Sequence, residues 1–410
     1  MSKNYLATKG WIVVAYYLGL IIILIGMQFL SGEYYLRNSN FLNFDASHYF
    51  HISENGYNDF RVAFFPLFPK IWDFLNLSAV SMSILNLCIY IFFLIYLGYQ
   101  LQFSRTQLFY SVLIPSNIFF FLPYSEALFF AACVLVLVGI LKEKNWITIF
   151  ALIIASVARP AYVIFLPALF AVAYLGEGTF GSRLKRILIY SGAIFTGTFL
   201  VGLIQFNDTG RWFEFFEAQE LWGNHLQFPT LPIRSWAGGF VTRLDGTALV
   251  VGVICWVLTS YWLYLKLVKK QKLEVPTSVV FSVFYLAGIS LIVILFRGGS
   301  LFSLNRFVFC SPFFLVFIKY VSDNVVIRNQ FKIAVYSFLL LTVYWLLFYS
   351  FVHLESFLKY AGLSVLLIAV AKLVTNKSLK TNLFNLVVIF ILVEIQVYLL
   401  IRFLNGNWVA

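Results

Sequence analysis

Between Asn43 and Pro69 the chain reads NFDASHYFHISENGYNDFRVAFFPLFP, placing Asp45, His48, His51, Glu54, Asp59 and Arg61 ahead of a Pro-bracketed aromatic run. An Asp with a His three residues on suits general acid–base chemistry, because carboxylate and imidazole exchange protons with a substrate hydroxyl. If ASHYFHISEN is helical, His48, Tyr49 and Ile52 follow Asp45 at i+3, i+4 and i+7 and share its face. His48 can then orient the carboxylate or touch substrate. Asp45 also stands where a helix N-cap would, so capping and proton transfer both remain open. No HExxH and no dense His/carboxylate set is present, so no metal is expected.

Further along, LIPSNIFFFLPYSEALFF puts Tyr124, Ser125 and Glu126 at the head of an apolar run, where Ser125 and Glu126 can cap a helix or serve a site. QELWGNHLQFP supplies Gln219, Trp222, Asn224 and His225. A Trp among amides suits sugar stacking, and equally an anchor at a membrane interface. Arg61, Arg159, Arg297 and Arg306, with Arg211, Arg234 and Arg243, fall in or beside the same polar stretches. The planar guanidinium bonds two phosphate oxygens at once. Carboxylates among arginines therefore suggest acid–base work beside a phosphorylated substrate. Arg306 and Arg159 each have a second reading, as headgroup anchors that snorkel. Arg159-Pro160 sits between two short apolar runs, 146–158 and 160–175, and at that depth its functional reading requires an anionic partner.

The elements that must position these residues are helices in lipid. The chain is 61% apolar, 20% aromatic and only 11% charged, with mean hydropathy +0.89. A soluble domain cannot hide so much apolar surface. The expected fold is an all-α polytopic membrane protein with about 11–13 transmembrane helices. The candidate spans are 11–31, 78–101, 106–122, 126–141, 146–158, 160–175, 187–206, 246–265, 277–296, 306–320, 332–352, 357–372 and 383–402. Trp11–Leu30 is too long for a signal-peptide core and reads as a retained first helix. With the N-terminus cytoplasmic, the Lys-rich connections around Lys142–Lys144 and Lys266–Lys272 lie inside and most acids lie outside. Two long loops, 32–77 and 207–245, then face outward, the first bearing short interfacial helices. The net charge of +12 marks cytoplasmic loops and lipid headgroups rather than nucleic acid. Residues 1–410 read as one membrane domain. Neither a P-loop nor a GxGxxG follows a strand, which disfavours chemistry fuelled by a cytosolic nucleotide. The four cysteines lie in apolar segments without CxxC spacing and predict no disulfide.

Together DASHYFHISENGY, AFFPLFP and PSNIFFFLPYSEALF resemble the glycosylphosphatidylinositol mannosyltransferase II (PIG-V-like) family. The match is tight over about 44–130 and loose beyond; Phe44 stands where the family has Trp. The resemblance implies a GT-C-type glycosyltransferase fold using a polyprenyl-phosphate sugar donor, with a lipid or glycan acceptor, on the extracytoplasmic side; the short N-terminal segment, compact loops and Lys-rich inner face point to a prokaryotic plasma membrane. Asp45 matches the family's acidic general base in the first outer loop, with His48 and Glu126 beside it. Arg159 is similar to a basic residue after the following span, and Gln219 and Trp222 to a later Gln/Trp pair. The expected donor-phosphate residues are Arg159, Arg306, Arg297 and Arg61. Tyr49, Tyr124, Gln219, Trp222 and His225 are expected on the sugar or acceptor. No cofactor is implied. The rival functions are a lipid-linked sugar transporter, which would call for inverted repeats that the sequence does not display, and a non-catalytic subunit of a glycosylation complex.

Overall fold

A computed structural model describes residues 5–176, 180–235, 237–324, 330–348, 354–375 and 383–409. These residues are helical; no strand is named among them, and Arg234 and Ser300 form an isolated bridge. The first half runs α1 (Trp11–Ser31), α2 (Asp45–Asn55), α3 (Leu67–Leu75), α4 (Ala79–Gln100), α5 (Arg105–Val112), α6 (Glu126–Leu141), α7 (Asn145–Ala158) and α8 (Phe165–Leu175). The second half runs α9 (Phe180–Thr209), α10 (Phe215–Leu221), α11 (Gly239–Leu267), α12 (Thr277–Phe296), α13 (Leu304–Phe309), α14 (Pro312–Asn324), α15 (Gln330–Phe348), α16 (Leu354–Thr375) and α17 (Leu383–Leu404). Among the described residues, 6 helices are long and apolar enough to cross a membrane. The chain is an all-helical, multi-pass membrane protein. Its α1 leaves Leu18, Ile22, Phe29 and Leu30 exposed, as a lipid-facing helix must. By contrast α6 and α12 are apolar all round and buried on most faces, as befits central helices.

Three expectations need correction. The span 106–122 is not one helix: α5 ends at Val112 and a 3-10 turn covers Pro115–Phe120. Pro115 has no N–H to continue the ladder, and it forces Ile114 out of the helical region (φ −63, ψ 122). The freed carbonyls are met by side chains, as backbone polar groups in a membrane must be. Asn117 Nδ2 donates to Ser111 O (2.7 Å), and Gln396 Nε2 donates to Val112 O (2.7 Å) and Ile114 O (2.6 Å). Asn86 Nδ2 donates to Leu122 O (2.7 Å) and Tyr124 O (2.8 Å), fixing the turn that leads to Glu126. The span 306–320 is likewise divided, into α13 and α14, where Pro312 interrupts the helix after Cys310-Ser311. The outer loop 207–245 is shorter than expected, because α9 continues to Thr209, α11 begins at Gly239 and α10 lies between. The last residues of the span 332–352 lie outside the described residues.

The first loop does carry short helices, and they are tied to α9 and α10. Asp208 Oδ2 accepts from Tyr57 N (3.1 Å), Gln205 Nε2 donates to Val62 O (2.8 Å), and Trp222 Nε1 donates to Phe60 O (3.1 Å). Both polar loops therefore meet at one end of the helices.

Candidate active site

The site begins with the hairpin α6–α7. Its two helices have similar lengths, 16 and 14 residues, and turn back across Lys142–Lys144. Gly139 permits the close crossing: a Cβ there would stand 2.8 Å from the backbone nitrogen of Thr148. A hairpin of matched arms returns its last residue to the level of its first. Arg159, in extended backbone ahead of Pro160, thus meets Glu126 at 2.5 Å. Glu126 does not act through a side-chain cap, and neither does Ser125, whose hydroxyl bonds Tyr49 Oη at 2.8 Å.

Arg306 on α13 completes the group from a distant part of the chain. Its Nε lies 2.8 Å from Glu126 Oε1, and its Nη2 lies 2.5 Å from the same oxygen and 2.8 Å from Asp45 Oδ2. The guanidinium lies over the rings of Phe119 (4.9 Å) and Tyr124 (4.8 Å), while Arg159 lies over Phe307 (5.1 Å). Two carboxylates and two guanidiniums cancel, which is how these charges tolerate burial. Side-chain exposure separates their roles: 0% for Glu126, 4% for Arg306, 11% for Arg159, but 21% for Asp45. Asp45 is the member that a substrate can reach. Its Oδ2 is held by Arg306, and none of the described groups hydrogen-bonds its Oδ1.

Backbone geometry shows what holds this arrangement. Asp45 is not the N-cap of α2; Phe44 is, at φ 53 and ψ −125. Ser303, which caps α13, has φ 65. Positive φ at two non-glycine residues is costly, and the surroundings must enforce it. Around Phe44 they do so through Asn43 Nδ2, which donates to Phe403 O at 2.8 Å, and through the Trp408 ring at 4.8 Å.

His48 stands beside the ion network, enclosed by Phe60 (5.6 Å), Phe64 (5.0 Å) and Trp222 (5.7 Å). Burial lowers its pKa below the ordinary 6.5, outweighing the opposing pull of Asp45. Trp222, packed on His48, Phe60 and Phe64, still keeps 43% exposure. Gln219 and Arg297 form a second tier: Gln219 Nε2 donates to Ala63 O (3.4 Å), Asn224 Nδ2 to Gln219 Oε1 (2.7 Å), and Arg297 Nε to Asn224 Oδ1 (2.8 Å). Arg61 donates to Asn58 Oδ1 (2.9 Å) and lies over Phe60, at the edge of the aromatic cluster. His225 contributes its backbone N–H to Phe296 O, and its side chain is exposed.

Two positioning residues escaped the sequence reading. Asp245, fully buried near the start of α11, accepts from Asn305 N (3.0 Å), Asn305 Nδ2 (2.7 Å) and Ser235 Oγ (2.6 Å). Asn305 precedes Arg306 and also accepts from Ser116 Oγ at 2.9 Å. A lone Asp at the head of an apolar helix was the available signal. The chain matches no family model, no curated protein and no solved structure.

Proposed function

We propose that this protein is a membrane glycosyltransferase of the GT-C type. It moves a hexosyl unit, by the family resemblance mannosyl, from a polyprenyl-phosphate donor to a hydroxyl of a lipid or glycan acceptor outside the cytoplasm. The observation that carries the reading is the reachable Asp45 carboxylate, held at one oxygen by a buried, charge-balanced network and bordered by arginines and an exposed Trp222. The depth of the network supports it. A 16-residue α6 rises about 24 Å, short of the ~30 Å hydrocarbon thickness. With Lys142–Lys144 at the cytoplasmic surface, Glu126 and Arg159 lie beneath the opposite one.

The step is a single displacement. The acceptor oxygen bonds to the anomeric carbon of the donor, its proton passes to Asp45, and the bond from that carbon to the phosphate oxygen breaks. Polyprenyl phosphate leaves with the electron pair, and configuration at the anomeric carbon inverts. Arg306 keeps Asp45 aimed, and Glu126 with Arg159 keeps Arg306 in place without touching substrate. His48 is uncharged at neutral pH and offers the acceptor a neutral hydrogen-bonding group. General-base assistance of this kind is worth about 10²–10⁴-fold.

Membranes containing the protein, given radiolabelled polyprenyl-phosphate mannose, test the reading. Label covalently attached to an acceptor supports transfer. Label that crosses the bilayer unattached supports a transporter instead, and label that does neither, with known acceptors supplied, contradicts both.

A further inference from the structure

Beyond the ion network, at the same end of the molecule, a cleft of about 400 Å³ opens between the segment 230–234 and the turn 297–300. The two segments are laced together by their backbones: Thr230 N donates to Gly298 O (3.1 Å), Arg234 N to Gly299 O (3.2 Å) and Leu301 N to Arg234 O (2.7 Å). Gly298 and Gly299 both have positive φ (57 and 93), and a Cβ on Gly299 would stand 2.9 Å from Thr230 O. Only glycine permits this approach. The walls are therefore built, not incidental.

The lining is cationic and carries no carboxylate: its charged members are Arg234 and Arg297. Arg297 is fixed by Asn224 Oδ1 at Nε (2.8 Å) and by Phe302 O at Nη1 (2.6 Å), leaving Nη2 without a partner among the described residues. The Arg234 guanidinium has no hydrogen bond or ion pair among the described residues. Every other arginine proposed for phosphate contact is engaged by its own chain: Arg159 and Arg306 by carboxylates, Arg61 by Asn58. One anchored guanidinium and one uncommitted guanidinium lining one space suit a phosphate, whose oxygens each fork can bridge. The rim is the opposite in character. Leu226, Phe228 and Leu231 are 70%, 95% and 62% exposed, on a stretch with no Asp, Glu, Lys or Arg between Trp222 and Ile233. A free inorganic anion has no use for such a rim; a phosphate borne on a hydrocarbon chain has.

We propose that the Arg234–Arg297 cleft binds a lipid-borne phosphate, its hydrocarbon lying along Phe228 and Leu231. That this lipid is the isoprenoid phosphate released by the transfer step rests on the reading above; the binding itself does not. The division of labour follows. Arg159 and Arg306 hold the carboxylates, and Arg234, which sequence reading did not single out for this task, holds the phosphate together with Arg297.

The test is binding to the purified full chain in detergent, with farnesyl phosphate as probe against farnesol, inorganic phosphate and phosphatidylglycerol. Wild type binds farnesyl phosphate at least tenfold more tightly than the other three. Arg234→Gln, an exposed change with no partner to lose, weakens farnesyl phosphate binding tenfold or more and leaves farnesol unaffected. Arg297→Lys, whose folding is checked by its melting temperature, does the same. Unchanged affinity in Arg234→Gln overturns the site. Equal binding of inorganic phosphate overturns the lipid, and equal binding of phosphatidylglycerol overturns the isoprenoid. If the site passes while label transfer fails, the transferase reading falls and the site stands; if transfer proceeds and Arg234→Gln transfers as wild type, the assignment of the bound lipid to the transfer step falls alone.

Discussion

At the scale of single residues, Glu126 carries the heaviest electrostatic duty. One of its oxygens accepts from both Arg159 and Arg306 with none of its side chain exposed. Glu126→Gln leaves Arg159 without a carboxylate and Arg306 with Asp45 alone. Breaking a buried pair in this way costs about 3–5 kcal/mol, so a marked fall in melting temperature is expected. The double change Glu126→Gln with Arg159→Met restores charge balance and recovers most of that loss while transfer stays low. Should the single variant melt as wild type does, the network is not structural. His48 gives a pH signature. Its folded pKa lies below the unfolded value of 6.5, chiefly through burial. The unfolded chain therefore binds the proton first as pH falls, so the stability tied to neutral His48 is complete above about 6.5 and declines as pH drops toward the folded value. Melting temperature measured from pH 7 to 5 should fall more steeply in wild type than in His48→Gln; parallel curves would remove His48 from the account.

At the scale of elements, the hairpin α6–α7 and the strained cap of α13 set the geometry. Gly139→Val forces a side chain into the backbone of Thr148. Overpacking of this kind costs about 1–3 kcal/mol, and it also separates Glu126 from Arg159, so stability and transfer should fall together. Ser303→Gly keeps the left-handed backbone but removes the Cβ that makes it unfavourable, and should stabilise by about 0.5–1 kcal/mol, read as a higher melting temperature. Part of this architecture was legible. The short apolar runs 146–158 and 160–175 on either side of Arg159-Pro160 mark a turn within the membrane, where an arginine demands an anion. The partner was not legible, because apolar runs in lipid carry no face pattern that says which helix meets which. The breaks at Pro115 and Pro312 were missed for a related reason. In a soluble protein a proline inside an apolar run argues against a helix, but spans tolerate it when neighbours supply donors. Here Asn86, Asn117 and Gln396 supply them from elsewhere in the chain. Asp45 was singled out in the sequence with capping left open, and the reason it avoids capping α2 lies in Phe44 and Arg306.

At the scale of the whole molecule, the two ends differ in chemistry. One gathers Asp45, Glu126, Trp222 and the Arg234–Arg297 cleft; the other carries Lys9, Arg105, Lys142–Lys144 and Lys266–Lys272. Lys9 Nζ and Arg105 Nε bond Phe103 O and Thr8 O there, so the first helix and the loop after α4 close the basic end together. An excess of positive charge favours retention in the cytoplasm. In intact cells a cysteine placed at Thr230 should therefore react with a membrane-impermeant maleimide, and one placed at Lys270 should react only after permeabilisation. The reverse pattern would invert the topology and remove the outward site.

The most direct measurement is label transfer from polyprenyl-phosphate mannose by Asp45→Asn beside wild type, with farnesyl phosphate binding followed in parallel. The substitution keeps the shape of the side chain and removes only its capacity to take a proton. Transfer should fall about 10²–10⁴-fold while binding at the Arg234–Arg297 cleft and the amount of folded protein stay unchanged. Transfer by Asp45→Asn at the wild-type rate would contradict the account.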